Sequence, residues 1–513
     1  MKKTLLMGFA IVSIAIAQTQ ISGDITTNTT WTADTDYLLV GQTFVKTGIT
    51  LTIEPGTVIK SEADDGTGLA PALIIERGAK IIADGTVDAP ITFTSNLPED
   101  QLPQRGTWGG LILLGNAPTN KGESFVEGLV GVPYGGDDPH DDSGILRYVR
   151  VWYGGRSIGQ DNEINGITFG GVGDGTVVEH CEVAYNLDDG FEFFGGTVNV
   201  RYLSALFCGD DAFDTDEGYQ GKGQFLFAIL GQDICGRGFE MDNSGSNMDV
   251  QPRSYPQFHN VTLIGPGGGT PTNDGSDQMI RLREGTGGNF RNIIVAHGNG
   301  VGVRVSDAAT QALIGDSLIF DENNIVFNCT DGQFHTDNPG MTAVGTDPMF
   351  MELNGRESGS GIIDPRPAIG SPAYIHYVSL PDDGFFVQTD YAGAFDENMW
   401  LDGWSLLSEK GRLSTASSVE SDLNTVAADF ALNVYPNPFN PTANVRITMP
   451  ENDEVRIHIY NMLGQIVSKL FSGYMNKGSH TLTIDGSSLT SGMYFIKVSS
   501  GNMNYTHRVT LLK

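Results

Sequence analysis

Cysteine and positive charge are both scarce in this sequence. Its 513 residues include four cysteines, none in a CxxC pair, which excludes a disulfide scaffold and a paired-cysteine zinc site. Thirty lysines and arginines stand against 62 aspartates and glutamates, so the formal net charge is -32. Nucleic acids and anionic membranes require basic surfaces, and neither is therefore an expected partner.

Long hydrophobic runs are also missing, apart from one at the start. The run TLLMGFAIVSIAIA spans residues 4–17, which is too short to cross a bilayer. Lys2 and Lys3 precede it and small residues end it, a pattern typical of a Sec signal peptide cut after Ala17. We expect residues 1–17 to be a signal peptide, no transmembrane segment after its removal, and a secreted or cell-surface protein.

No stretch carries a sustained helical period, and no HExxH or Walker motif occurs. Instead, 67 glycines separate short alternating apolar segments up to about residue 391. Segments 177–196, 200–218 and 225–245 can be aligned as a loose repeat of 22 to 27 residues. A short repeat of strands cannot bury its own apolar face and must stack on its neighbours. The sequence therefore predicts an all-β chain whose residues 18–404 form a right-handed parallel β-helix.

The repeat alignment predicts which side chains face inward. Three phenylalanines occupy equivalent positions and are expected to form an inward ladder: Phe191, Phe213 and Phe239. The carboxylates that follow them are expected on the outer face: Glu192, Asp214 and Glu240. Successive coils lie about 4.8 Å apart. Like charges stacked at that distance repel one another, and a calcium ion held by carboxylate oxygens would relieve the repulsion.

A second acidic stretch, GGDDPHDDSG, offers another calcium site on a loop at residues 135–144. Its candidate ligands are Asp137, Asp138, Asp141 and Asp142. Neither stretch has the spacing of an EF-hand, so solvated turns are the alternative interpretation for both.

Cys208 and Cys235 are 27 residues apart, about one coil. Stacked coils would bring them within reach of a disulfide bond, which an oxidising exterior would favour. The alternative is that both are small buried hydrophobic residues.

The composition changes after the aromatic segment 391–404, which we expect to close the end of the coil. Residues 405–430 are rich in serine, threonine and small residues, and we interpret them as a linker. Residues 431–513 contain about seven short strands with Pro, Asn and Gly turns, which predicts a small Ig-like antiparallel β-sandwich.

This last segment resembles the C-terminal sorting domain of the bacterial type IX secretion system. The resemblance rests on YPNPF (435–439), VRIHIYNMLGQIV (455–467), SGMYFIKV (491–498) and the basic C-terminus. The residues that carry the sorting signal would be Tyr435, Pro436, Asn437, Pro438, Phe439, Gly464, Gly492 and Lys513. The resemblance implies the secretion machinery as a partner, and release from the cell or attachment to surface lipopolysaccharide.

The coil also resembles known families. LTIEPGTVIK and GAKIIADGTVDAPITFTS are similar to β-helix segments of large bacterial surface proteins, which implies an extracellular location. Four motifs in the coil resemble those of polygalacturonase-type glycosidases: Asn186-Leu187-Asp188, Gly209-Asp210-Asp211, Gly236-Arg237-Gly238 and Arg281-Leu282-Arg283. This second resemblance implies Asp188, Asp210 and Asp211 as catalytic carboxylates and Arg281 as a substrate clamp. Arg237 and Arg283 replace the histidine and lysine of that family, which puts the catalytic role in doubt.

Two functions follow from these observations. One is an exported structural, adhesive or glycan-binding surface protein, with calcium as the one candidate cofactor. The other is an extracellular enzyme that degrades polysaccharide, either a glycoside hydrolase or a lyase. The first function would involve an extracellular glycan or a neighbouring protein as ligand, and the second an extracellular polysaccharide as substrate.

Overall fold

The structure is a computed structural model of the chain. It describes residues 18–513 with the exception of 64–68, 127, 128, 130, 157–163, 270–274, 276, 339, 359, 360, 415–430, 436, 438, 463, 464, 501 and 502. The predicted signal peptide, most of the predicted linker, and Pro436, Pro438 and Gly464 of the predicted sorting signal lie outside the described residues.

The described chain is all-β: a right-handed parallel β-helix followed by an antiparallel β-sandwich, as the sequence predicted. Twenty-three parallel strands form the coil, and β10 and β11 form a separate antiparallel hairpin beside it. The strands up to residue 327 are β1 (Thr19–Ile25), β2 (Thr29–Trp31), β3 (Tyr37–Val45), β4 (Thr50–Ile53), β5 (Val58–Ser61), β6 (Ala72–Ile75), β7 (Lys80–Asp84), β8 (Ile91–Ser95), β9 (Leu111–Leu114), β10 (Ser124–Phe125), β11 (Pro133–Tyr134), β12 (Gly144–Trp152), β13 (Ile167–Gly170), β14 (Val177–Ala184), β15 (Phe191–Phe194), β16 (Asn199–Leu206), β17 (Phe213–Asp216), β18 (Lys222–Ile229), β19 (Phe239–Met241), β20 (Gln257–Ile264), β21 (Gln278–Leu282), β22 (Gly288–Ala296), β23 (Val301–Val305), β24 (Leu318–Phe320) and β25 (Ile325–Phe327).

Two ladders of strands make up the central coils. Long strands stack in the order β12, β14, β16, β18, β20 and β22, and short strands in the order β13, β15, β17, β19, β21 and β23. Each long strand bends at one residue with positive φ and so contributes to two faces of the coil. These corner residues are Tyr148, His180, Tyr202, Phe225, Asn260 and Asn292.

The predicted inward phenylalanine ladder is confirmed. Phe191 pairs with Phe213 and Phe213 with Phe239 in parallel register, and all three side chains are fully buried. The first two rings stack at 5.4 Å and the second pair meets edge to face at 5.7 Å. Aromatic pairs in either geometry add to the stabilisation that burial provides.

The aromatic segment 391–404 covers the side of the coil instead of closing its end. Phe395 packs edge to face on Phe227 at 5.1 Å, and Trp404 packs on Tyr148 at 5.5 Å. The outer faces of β12 to β20 carry apolar side chains that must be shielded from water, and this segment shields them.

The segment that covers the side of the coil, which we call the cover segment, continues past Trp404. It includes Ser405 to Glu409, where we expected the linker to begin. A short helix, α3 (Leu406–Glu409), follows Ser405, and its Leu406 and Leu407 are buried against the coil. The other elements that follow the coil are β26 (Phe350–Glu352), α2 (Gly355–Ser358), β27 (Asp364–Pro367) and a 3-10 turn at Pro372–Tyr374. Two short elements lie within the coil: a 3-10 turn at Glu99–Gln101 between β8 and β9, and α1 (Ala308–Gln311) between β23 and β24.

The C-terminal sandwich has two antiparallel sheets, ordered β28-β29-β32 and β31-β30-β33-β34. Its strands are β28 (Ala431–Tyr435), β29 (Thr442–Met449), β30 (Asp453–Tyr460), β31 (Ile466–Met475), β32 (Gly478–Asp485), β33 (Gly492–Ser500) and β34 (Met503–Leu511). Val455, Ile457 and Ile459 alternate into its core, as the sequence predicted.

The segment before β29 is attached to the last strand. The Asn437 side chain donates to the Arg508 carbonyl at 3.1 Å and accepts from the Thr510 amide at 2.9 Å. Phe439 is buried, and its amide donates to the Thr510 carbonyl at 2.8 Å. Lys513 donates to the Ser487 carbonyl at 2.8 Å, and Gly492 opens β33 with a positive φ.

The four cysteines are free thiols in this structure, so the predicted Cys208–Cys235 disulfide is not formed there. Both side chains belong to the apolar core of the coil, and burial raises the pKa of each thiol to about 12. They therefore behave as small core residues, the alternative that the sequence left open.

Candidate functional site: the acidic groove

A groove with a volume of about 300 Å³ runs along the outer face of β15, β17 and β19 and the turns that precede them. We call it the acidic groove. Its lining contains nine carboxylates: Asp188, Asp189, Glu192, Asp210, Asp211, Asp214, Asp216, Glu240 and Asp242. Asn165, Val126, Phe194 and Arg283 complete the lining. The two sets of carboxylates predicted separately, as catalytic and as calcium-binding, therefore face the same groove.

The register explains why the carboxylates converge. Glu192 pairs with Asp214 and Asp214 with Glu240 on successive parallel strands. Because parallel strands of a coil stack in register, every acidic residue at this position adds to one row on the outer face. Glu192 and Asp214 are half-buried, and Glu240 is buried with 8% of its surface exposed.

Three sets of carboxylates bring one oxygen from each member within 4.8 Å of the others. They are Asp188, Asp189 and Asp210; Asp189, Glu192 and Asp214; and Asp211, Asp214 and Glu240. Asp189 and Asp214 each belong to two sets, so the three sets form one continuous cluster. Calcium is held by six to eight oxygen ligands, and carboxylates spaced in this way can supply several of them.

Arginines neutralise one end of the groove. Arg237 is buried and its Nη1 lies 3.1 Å from Asp211 Oδ2 and 3.2 Å from Glu240 Oε2. Arg281 Nη1 lies 3.3 Å from Glu240 Oε1. Arg283 Nη2 lies 2.7 Å from Asp242 Oδ2. The expected repulsion around Glu240 is thus relieved by arginine, without need of a cation.

Asp214 lies in the middle of the groove, and no arginine among the described residues forms an ion pair with it. Its Oδ1 atom is buried and has no hydrogen-bond partner among the described residues. Burial, followed by the charges of Glu192 and Glu240, raises the pKa of Asp214 well above its usual range. A buried carboxylate oxygen without a partner is costly when ionised.

The pKa values of two neighbouring carboxyl groups are also raised by burial and by nearby negative charge. Burial and the charge of Asp188 raise the pKa of Asp189, whose Oδ1 accepts a hydrogen bond from the Asp211 amide at 2.8 Å. Burial and the charge of Asp210 raise the pKa of Asp211, and Arg237 only partly opposes the rise. Ionising all of these groups at neutral pH therefore works against the fold unless a cation is bound.

The residues implied by the polygalacturonase resemblance are only partly brought together. Asp188 and Asp210 are half-buried in the lining of the groove, whereas Asp211 is 2% exposed and engaged by Arg237. Arg281 does not line the groove: it pairs with Glu240, and its Nε donates to Ser306 Oγ at 3.4 Å. Burial and the charge of Arg283 lower the pKa of Arg281.

The loop at residues 135–144 is separate from the groove. Asp141 is buried and accepts from Asn116 at 3.0 Å, and Asp142 pairs with Lys80 at 2.5 Å. Asp138 accepts from the His140 amide at 3.0 Å, and Asp137 is exposed. No metal-ligand set within the described part of the chain includes these carboxylates.

The sequence reasoning missed Asp189, Asp216 and Asp242 as members of the groove. Asp189 occupies the position two before Phe191, equivalent to Asp211 and Arg237, so the repeat alignment contained the signal. Asp216 and Asp242 follow Asp214 and Glu240 by two residues, and strand alternation places residues two apart on the same face.

Comparison with known proteins gives two family matches. Residues 23–362 match the pectate-lyase like beta helix domain, and residues 433–511 match the secretion system C-terminal sorting domain. No helix of the described residues is long and apolar enough to span a membrane. The sorting domain directs the chain to the type IX secretion machinery, so the protein is exported and is secreted or displayed at the cell surface.

Two solved structures are similar at a low level. Pectate lyase Pel9A is 12% identical, over 73% of this chain and 98% of that chain, with a TM-score of 0.36. The enzymatically active domain of tailspike protein 2 from bacteriophage CBA120 is 9% identical, over 92% of this chain and 72% of that chain, with a TM-score of 0.28.

No curated protein matches the sequence. The match at 23–362 covers most of the chain, and it coincides with the coil that carries the acidic groove. The chain therefore belongs to the pectate-lyase like beta helix domain family, joined here to a type IX sorting domain.

Proposed function

We propose that this exported protein binds calcium in the acidic groove and, through the bound ion, an acidic glycan outside the cell. The observation that carries the proposal is the buried, unpartnered Oδ1 of Asp214 at the centre of three overlapping carboxylate sets. A divalent cation would satisfy this atom and would remove the repulsion that raises the pKa values of Asp189 and Asp214.

Calcium suits the groove better than other biological cations. The lining offers carboxylate and amide oxygens but no thiol or imidazole, and oxygen ligands select calcium or magnesium over zinc and copper. Magnesium demands near-ideal octahedral geometry, whereas calcium accepts six to eight ligands in flexible arrangements. A row of aspartates on stacked strands supplies many oxygens without octahedral order, which favours calcium.

A groove that is open to solvent leaves room for a further ligand on the ion. Calcium held by three or four protein carboxylates retains positions for water or for the carboxylate of an acidic sugar. The protein groups alone would repel a polyanion, because nine carboxylates line the groove. Binding of an acidic glycan should therefore depend on the metal.

Calcium titration by isothermal calorimetry tests the first step. We expect the wild-type protein to bind calcium and Asp214→Asn to bind it at least about tenfold more weakly, because calcium affinity follows the number of charged ligands. Asp249→Asn is the matched control, since Asp249 is exposed and paired with Arg253 away from the groove. Affinity should also weaken from pH 8 to pH 5, where protons compete for Asp189 and Asp214. Equal affinities of wild type and Asp214→Asn would contradict the proposal.

Retention on immobilised polygalacturonate tests the second step. The wild-type protein should be retained in calcium and released by a chelator, and Asp214→Asn should not be retained. Retention that persists in the chelator and in the variant would place the glycan elsewhere on the protein.

Cleavage of the bound glycan is the second candidate function, and the positions of Asp188 and Asp210 favour it. Both carboxylates are half-buried in the lining of the groove and lie close together, so they could donate and accept protons at a substrate bound there. An assay for reducing ends and for unsaturated products, with Asp210→Asn as the comparison variant, distinguishes cleavage from binding. Products from wild type and none from the variant would identify the protein as an enzyme.

A further inference from the structure

A long segment that follows the coil is attached along one side of it by hydrogen bonds to its main chain. The segment spans residues 378–409, which are the cover segment and the residues that lead into it, and we call it the strap. The Asn292 side chain accepts from the Val378 amide at 2.8 Å, and the Gln224 side chain accepts from the Val387 amide at 2.9 Å. Among the described residues, the strap contributes no strand to the coil sheet. It can therefore detach without breaking a ladder of the coil.

His259 lies underneath the first part of the strap. It is fully buried, and its ring stacks on Phe386 with 4.2 Å between the ring centroids. Neither ring nitrogen meets a hydrogen-bond partner in good geometry among the described residues. Burial, and then the charge of Arg291, lowers the pKa of His259 to about 3. The imidazole is therefore neutral as long as Phe386 covers it.

The charged groups around His259 do not compensate an imidazolium. Arg291 is its partner on the next coil and is itself positive. Asp383 of the strap brings a negative charge near the ring, but Lys222 pairs with it at 2.6 Å. A proton on His259 would thus be buried beside a positive arginine, which favours the departure of Phe386.

His180 lies underneath the other part of the strap. Its ring lies between those of Tyr148 and Tyr202, with 4.5 and 4.4 Å between centroids, and Trp400 and Trp404 meet it edge to face at 6.5 and 6.1 Å. Its Nδ1 is buried and has no hydrogen-bond partner among the described residues. Burial lowers the pKa of His180 to about 4.

The charged neighbours of His180 largely cancel each other. They are Glu179 and Arg147 of the coil, and these two side chains pair at 3.4 Å. The residues of the strap that contact the ring are the two tryptophans, which carry no charge. Both ends of the strap therefore cover a histidine that is neutral in the attached state.

We propose that acid releases the strap from the coil, because His180 and His259 can take up a proton readily only when the strap leaves. The stability that the two neutral rings provide is fully present above about pH 6.5 and is lost as the pH falls toward 4. At pH 5 each histidine shifts the equilibrium toward release by about tenfold or more. Release would uncover the apolar outer faces of β12 to β20 and leave the coil itself folded.

Glu182 acts in the opposite direction. Its Oε1 accepts from the Leu406 amide of the strap at 2.7 Å. Burial raises the pKa of Glu182 to about 7, so a fall in pH stabilises the attached state through this group. Glu182→Gln removes the titration and keeps an acceptor for the amide, and it is therefore the reference protein for the test.

Hydrogen exchange of the full-length Glu182→Gln protein at pH 7 and pH 5, corrected for the intrinsic exchange rate, tests the inference. Peptides that contain Val387 and Ala394 report on the strap, since their amides donate to Gln224 and Thr262 of the coil at 2.9 Å. We expect their protection factors to fall at least about tenfold at pH 5, while those of β16 and β18 stay unchanged. No loss of protection in the strap, or an equal loss in the strap and in β16 and β18, would overturn the inference.

Two histidine variants, made in the Glu182→Gln protein, test whether these rings sense the acid. His259→Leu keeps an apolar group beneath Phe386, and His180→Phe places at this corner the residue type that Phe225 has at its own corner. Each variant should reduce the change with pH about tenfold, and the two together should abolish it.

His335→Gln is the matched control, because His335 pairs with Asp337 after β25, outside the strap. It should respond to pH like the reference protein. Circular dichroism at pH 7 confirms that each variant is folded. A protein with both histidine substitutions that keeps the full response to pH would overturn the inference, and the comparison of the reference protein at the two pH values is decisive even if a histidine variant does not fold.

Discussion

Glu182 is a single buried carboxylate that ties together parts of the chain far apart in sequence. Its Oε1 accepts hydrogen bonds from Trp152 Nε1 at 3.0 Å and from the Leu406 amide at 2.7 Å. Its Oε2 accepts from Ser204 Oγ at 3.0 Å. The side chain has no exposed surface, and burial raises its pKa to about 7. Glu182 therefore attaches the cover segment to the coil in a manner that depends on pH.

We predict that Glu182→Gln removes a pH dependence of stability. The pKa of Glu182 is raised in the folded state, so its contribution is fully present below the unfolded value of 4.5 and is lost as pH rises through about 7. The glutamine can keep the two bonds at Oε1 and donate to the Ser204 hydroxyl. Urea unfolding should show similar stability for the two proteins near pH 4.5 and roughly 3 kcal/mol in favour of the variant at pH 8.

Glu182→Ala is the control for this experiment. It leaves three buried donors without an acceptor, so it should destabilise the protein at both pH values. If wild type and Glu182→Gln respond to pH in parallel, Glu182 is not the titrating group.

Strand alternation was enough to predict the side chains around Phe213 and Asp214. Phe213 packs inside between Phe191 and Phe239, and Asp214 stands outside between Glu192 and Glu240, as the repeat predicted. The bond between Glu182 and Leu406 spans 224 positions and has no local signal in the sequence. The approach of Arg281 and Arg283 to Glu240 also has no local signal, because it depends on how two successive coils are rotated relative to each other.

At the scale of one element, the bends of the long strands are stabilised by stacking. Tyr148, His180, Tyr202 and Phe225 have φ between 49° and 59°, a region that non-glycine residues rarely adopt. Their rings stack on one another at 4.5, 4.4 and 4.7 Å. The next two corners are Asn260 and Asn292, whose residue type tolerates positive φ well.

We predict that Tyr202→Asn is tolerated better than Tyr202→Val. Asparagine accepts the left-handed conformation and loses only the ring contacts, whereas valine, branched at Cβ, loses the contacts and also strains the backbone. Both variants should unfold at lower temperature than wild type, with Tyr202→Val lower than Tyr202→Asn by several degrees. Melting by circular dichroism measures this difference, and an equal loss in the two variants would show that the corner conformation is not under strain.

The positive φ of the aromatic corner residues could not be predicted from the sequence. The repeat alignment identified strands but gave no reason for a tyrosine, a histidine and a phenylalanine to adopt positive φ. These residue types are rare there, and only the stack of neighbouring coils makes the position acceptable. Asn260 and Asn292 are the two corners that residue type alone would indicate, because asparagine is typical of such turns.

At the scale of the whole molecule, the sorting domain rests against the coil. Arg508 Nη2 lies 3.2 Å from Glu397, and Arg508 Nη1 lies 3.6 Å from Asp390. Met493 and Phe495 are buried beside Phe225, Tyr374 and Tyr391 of the coil and its cover. The motifs of the sorting domain could be recognised in the sequence, but a contact between two units with separate hydrophobic cores leaves no periodic signal in either one.

We predict that a chain ending after residue 423 folds but is not exported to the surface. The coil and its cover have their own core, so the truncated protein should remain soluble and rich in β-structure. Without the sorting domain it should accumulate in the periplasm. Cell fractionation and protease treatment of intact cells locate the protein, with the full-length chain as control. A truncated protein at the cell surface would show that export does not depend on the tail.

The pairing of Asn437 and Phe439 with β34 has a consequence for proteolysis. Their partners are the backbone groups of Arg508, Thr510 and Leu512. A protease that cuts before Arg508 would remove all of these partners together. Damage to β34 would therefore also free Asn437 and Phe439, although they lie about 70 positions away in sequence.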